Sequence, residues 1–78
     1  MRMYVLEDEM KISYKKLWKL LIDREMMKKE LAEQAGISTA SIAKLGKNEN
    51  VNTKILLKIC TALKCDVSDI MEVVPDKE

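Results

Sequence analysis

Cys60 and Cys65 are the two thiols of the chain, and no His accompanies them. Without imidazole a conventional zinc site lacks ligands, and five-residue spacing is not the C-x-x-C of a redox motif. The pair reads as small reduced core thiols, with a redox switch as the alternative. Asp66 and Asp69 are close enough to suggest an acid–base pair, yet their position before an apolar segment suits helix-start residues better. An enzyme is therefore the least favoured class. The remaining chemistry belongs to the lysines. From Lys11 to Lys47 nine Lys or Arg face four acids, a local charge of +5, whereas from Cys65 to Glu78 five acids face Lys77 alone, a local charge of −4. This asymmetry, hidden by a net charge of +1, directs one end of the molecule toward a polyanion.

The elements that must present those charges are short. A chain of 78 residues holds one small domain with one modest core and little room for an enclosed cleft. Apolar residues make up 47% and charged ones 35%, a globular balance that argues against disorder. With no Phe, one Trp and six Met, the core is expected to be aliphatic. No apolar run reaches the ~18 residues of a membrane span, and the start lacks a signal-peptide pattern. A soluble, cytoplasmic protein without cofactor or membrane partner is expected, and no small-molecule ligand is evident.

Ser13 is expected to cap a first helix in which Tyr14, Leu17, Trp18, Leu21 and Ile22 form an apolar stripe. A second helix spans Lys28 to Ala35, with Leu31, Ala32 and Ala35 inward, and stops at Gly36; its start at Met27 lacks a polar cap. Ser38 caps a third helix running to about Lys47 with Ile42 and Leu45 inward, and Asn48 is the next residue suited to a left-handed end. Asn52 caps a fourth, with Ile55, Leu56, Ile59, Cys60 and Leu63 inward and Leu57 off the stripe. Asp66 or Ser68 starts a last short helix containing Val67, Ile70 and Met71. Glu72, Val73 and Val74 then read as extended before Pro75. Residues 1–10 form an N-terminal extension whose run Met3, Tyr4, Val5 and Leu6 suits a strand. It has two readings, pairing with Val73 and Val74, within a protomer or across a dimer, or a frayed leader; Met10 is a potential alternative initiator.

A helix ending at Ala35, a turn through Gly36 and Ile37, and a new helix capped by Ser38 make a helix-turn-helix over about residues 28–47, with small Ala32 allowing close approach. "KKELAEQAGISTASIAKL" resembles the helix-turn-helix of phage Cro and repressor proteins, the XRE family. Leu31, Ala32, Gly36, Ile37, Ile42 and Leu45 match its structural positions, and "LLKICTALKCDVSDIM" is similar to its fourth and fifth helices. The likeness covers roughly Ile12 to Val74 within a domain assigned to residues 11–78, and is nearest to small single-domain bacterial members.

The resemblance implies an all-α, five-helix, lambda-repressor-like domain that binds double-stranded DNA as a transcriptional regulator, in the repressor sense, and as a homodimer. The helix beginning at Ser38 would enter the major groove, with Thr39, Ala40 and Lys44 reading bases. Lys28, which stands where the family commonly has Gln, would contact the DNA backbone together with Ser38, Ser41, Lys47, Asn48 and Asn50. Lys28 opposes its own helix dipole unless an anion sits there. Leu57, Val73 and Val74, which have no place in the helical stripes, are the expected dimer contact. Two departures stand out. The Arg–Glu pair that ties the first helix to the third in many phage members falls here on Leu21 and Gly46, so both partners are missing, and Met27 replaces a polar cap. The alternative function is a protein interaction module, such as an antitoxin-like subunit, motivated by the near-neutral total charge and the acidic tail.

Overall fold

The computed structural model describes residues 10–76. Its elements run in the order β1 (Met10–Ser13), α1 (Lys15–Asp23), α2 (Lys28–Ala35), α3 (Thr39–Gly46), α4 (Thr53–Leu63), a 3₁₀ turn (Val67–Asp69) and β2 (Glu72–Pro75). The domain is mostly helical, with four α-helices instead of five and a two-stranded sheet. The expected fifth helix is a three-residue 3₁₀ turn. Asp66 and Asp69 form a capping box at its start: Asp66 Oδ1 accepts from Val67 N–H at 2.6 Å and Asp69 Oδ2 from Asp66 N–H at 2.9 Å. Ile70 then leaves helical geometry at φ −122° to enter the core. A nucleus fixed by so few backbone bonds does not propagate before β-branched Val73 and Val74 take the chain into a strand.

That strand pairs antiparallel with β1, matching Ile12 to Val73 and Lys11 to Val74. Val73 and Val74 are thus paired, as one reading held, but by residues immediately before α1; Met3–Leu6 lies outside the described residues. Because β1 extends through Ser13, the cap shifts by one residue. Tyr14 takes the N-cap position of α1, and Ser13 Oγ accepts from Lys15 N–H at 3.2 Å.

The core is aliphatic around one buried phenol. Tyr14, Leu17 and Leu21 from α1 meet Leu31 and Ala32 from α2, Leu45 from α3 and Leu56, Ile59 and Leu63 from α4, with Ile37 and Ile70 closing the ends. Ile22 departs from the expected stripe, since 73% of it is exposed. It lies ~100° round the helix from Leu21, beyond the core's reach, and Leu20 packs on the opposite flank instead.

Charged side chains lock the helix ends. Arg24 Nη1 donates to the Leu63 carbonyl at 2.6 Å, satisfying an acceptor at the end of α4, and Lys16 Nζ donates to the Ser68 carbonyl at 2.8 Å. Cys60 and Cys65 are free and half-buried, and burial pushes both thiols above their ordinary range. That disfavours the thiolate and fits reduced thiols.

Candidate nucleic-acid interface

Three local devices aim α3 outward. Gly36 ends α2 in the left-handed conformation, φ +70°, and the Gly36 and Ile37 amides both donate to the Ala32 carbonyl, at 2.9 and 3.1 Å. A Cβ there would meet nothing within 4 Å, so glycine is needed for its φ and not for space. Ser38 Oγ accepts from the Ser41 amide at 3.1 Å and starts the third helix as expected. At the other end Asn48, at φ +57°, turns the chain out of α3. The uncapped start of α2 is partly relieved: Glu30 Oε1 accepts from the Met27 amide at 2.8 Å.

Thr39, Ala40 and Lys44 are all exposed on α3, so one face carries the expected readers. Ala43, three residues beyond Ala40, is exposed beside them and went unnoticed in the sequence, although its i+3 spacing was the available signal. Lys28, Ser38, Lys47, Asn48 and Asn50 are exposed around this face. Ser41 is half-buried, within 3.2 Å of the Ser38 hydroxyl. A groove with apolar walls runs between α2 and α3, lined by Lys28, Lys29, Ala32, Glu33, Ile37, Thr39 and Ile42.

Asn48 does more than a phosphate contact would require. Its Oδ1 accepts from the Tyr14 amide at 3.0 Å, and the Tyr14 hydroxyl donates to the Glu49 carbonyl at 3.2 Å. Tyr14 is buried, and burial pushes its phenol above the ordinary value. These bonds tie the start of α1 to the exit of α3. Leu21, at one of the positions where phage members have the charged pair, is buried in the core, and Gly46 closes α3. A second feature had no sequence signal: the Lys28 ammonium stands 4.5 Å from the centre of the Trp18 ring.

Of the expected dimer contacts, Leu57 and Val73 are exposed, by 62% and 59%. Val74 is half-buried beside Lys11, Ser13 and Trp18, and Leu57 lines a separate groove with Ala35, Lys58 and Ala62.

Residues 16–76 match the Cro/C1-type HTH DNA-binding domain, a span that runs from the second residue of α1 through α2, α3, α4, the 3₁₀ turn and β2. The chain belongs to the Cro/C1-type helix-turn-helix family. This Cro/C1-type domain is 39% identical over 61 residues to an uncharacterised HTH-type transcriptional regulator, YozG, of Bacillus subtilis (strain 168), covering 76% of this chain and 73% of that protein. It also superposes on the crystal structure of the transcriptional regulator VanUg with a TM-score of 0.85 at 53% identity, covering 96% of this chain and 100% of the other. As a Cro/C1-type protein it is a DNA-binding transcriptional regulator, a non-enzymatic class. No helix among the described residues is long and apolar enough to cross a membrane.

Proposed function

We propose that this regulator represses transcription from the bacterial cytoplasm by binding a specific double-stranded operator as a homodimer, with α3 of each protomer in the major groove. The observation that carries the reading is the exposed face of a Ser38-capped helix formed by Thr39, Ala40 and Lys44. Small side chains let the helix sit deep. Thr39 and Ala40 offer methyl groups to a thymine methyl, and Lys44 donates to guanine O6 and N7. Lys28, Ser38, Ser41, Lys47, Asn48 and Asn50 hold the backbone. Asn48 contributes its amide N–H, because its oxygen serves Tyr14. Ser41 acts through the Ser38 hydroxyl beside it.

One recognition helix reads too few base pairs for selectivity, which favours a dimer. Exposed Leu57 and Val73, with Val74 beside the latter, supply apolar surface for it. The test is footprinting on a fragment from upstream of the protein's own gene against a scrambled fragment at equal salt. Protection of a two-fold symmetric site with half-sites about 34 Å apart is expected. Equal weak binding to both fragments would overturn an operator at its own gene and leave two readings, an operator elsewhere or a module that docks on another protein, which co-purification separates.

A further inference from the structure

We propose that Trp18 is a positioning residue for DNA binding: its indole holds the Lys28 ammonium in place for a backbone phosphate, an inference that rests on Lys28 being a phosphate contact. The two residues come from different helices, Trp18 from the middle of α1 and Lys28 from the first position of α2. Lys28 Nζ stands 4.5 Å from the ring centre, within cation–π range, and Trp18 itself is half-buried against the core, so the ring is a fixed platform.

The pairing resolves an electrostatic conflict. Lys28 and Lys29 both stand in the first turn of α2, where the helix dipole repels cations, and Glu30 is the single acid of that turn. A free lysine would swing its ammonium away from the helix start into solvent. The negative face of the indole holds it over the α1–α2 junction. An ammonium has three N–H donors and the ring occupies one side of it, leaving donors for an incoming oxygen. A lysine already restrained loses less side-chain freedom when the phosphate arrives. Lys29 stands one position on, about 100° round the helix; both lysines line the groove between α2 and α3, and of the two it is Lys28 that lies over the Trp18 ring.

The experiment is a double-mutant cycle on the full chain, measured by affinity and salt dependence for one operator duplex. Trp18→Leu is expected to weaken binding about two- to fivefold when Lys28 is present and to leave it unchanged in a Lys28→Met background. Trp18→Phe, which keeps a ring, is expected to retain most of the affinity. The chain has one tryptophan, so its fluorescence reports on this residue alone in the unmutated ring: emission should change on adding operator, and most of that change should vanish in Lys28→Met. This second readout tests the pairing even if Trp18→Leu fails to fold. A loss from Trp18→Leu that persists in Lys28→Met would overturn positioning while leaving the phosphate contact standing. Unaltered affinity and salt slope in Lys28→Met alone would remove the contact itself, and positioning with it.

Discussion

Lys44 and Lys28 are both exposed lysines near α3, yet they stand on different parts of the interface: one on the helix face assigned to base edges, the other at the start of the preceding helix. Their variants should therefore behave differently. Lys44→Ala is expected to relax preference at one base pair, costing about 1–3 kcal/mol against the best site and little on random DNA. Lys28→Ala should weaken all sequences similarly and reduce the salt slope by about 0.9. Binding of matched and scrambled duplexes across a salt series separates the two; equal effects on both duplexes would refute the division into reader and anchor. Tyr14 makes a prediction of its own. Burial raises its phenol above the ordinary value of 10.0, so the folded state retains a proton that the unfolded chain loses first. Its contribution is complete below pH ~10 and declines as pH rises through the folded value. Alkaline unfolding curves should show a steeper loss above that pH for the native protein than for Tyr14→Phe, which lacks the ionisable group and the bond to Glu49.

Helix ends, more than helix interiors, decide where α3 points. Gly36 at φ +70° and Ser38 with its bond to the Ser41 amide stand two residues apart and act on opposite helices. Gly36→Ala is expected to lose about 1–2 kcal/mol through left-handed strain, with no contribution from crowding. Ser38→Ala should lose about 1 kcal/mol through the missing cap. Chemical denaturation provides both values, and a neutral Gly36→Ala would show that the turn relaxes to negative φ. The fifth element teaches the converse. Its two aspartates cap its start, yet a cap does not by itself propagate a helix, and after a single turn Ile70 leaves helical geometry and fills the core.

At the scale of the whole molecule, charge and shape act together. The basic segment from Lys11 to Lys47 contains α1 to α3, while the acidic segment begins at the exit of α4. The two segments meet where β2 pairs with β1, Lys11 Nζ standing 3.9 Å from Asp76 Oδ1, so the basic excess a polyanion would meet lies on α1 to α3. Dimerisation is the corresponding prediction. Sedimentation at micromolar concentration with operator present should give a dimer on one duplex, and Leu57→Asp or Val73→Asp should yield a monomer that binds a half-site weakly. A native protein that remains monomeric on the duplex would remove Leu57, Val73 and Val74 as interface residues.

The helix-turn-helix was legible because its determinants are local. The apolar period of each helix, the caps Ser38 and Asn52 and the turn at Gly36 act within about one or two helical turns, so reading along the chain recovers them. The assignment of Thr39, Ala40 and Lys44 to base reading came from the family resemblance, and the structure leaves all three exposed on α3. What only the tertiary structure decided involves partners distant in sequence. Asn48 suited a left-handed end by its residue type, but its bond to the Tyr14 amide spans 34 residues. The strand opposite Val73 and Val74 proved to be Met10–Ser13, because register is set by which segment the folded helices bring alongside. Ile22 fits the periodic pattern and still faces water, since periodicity gives a helix a face without saying how far the neighbouring helices extend along it. Trp18 and Lys28 meet because the α1–α2 turn folds one helix start over the other's flank, a geometry that no spacing rule encodes.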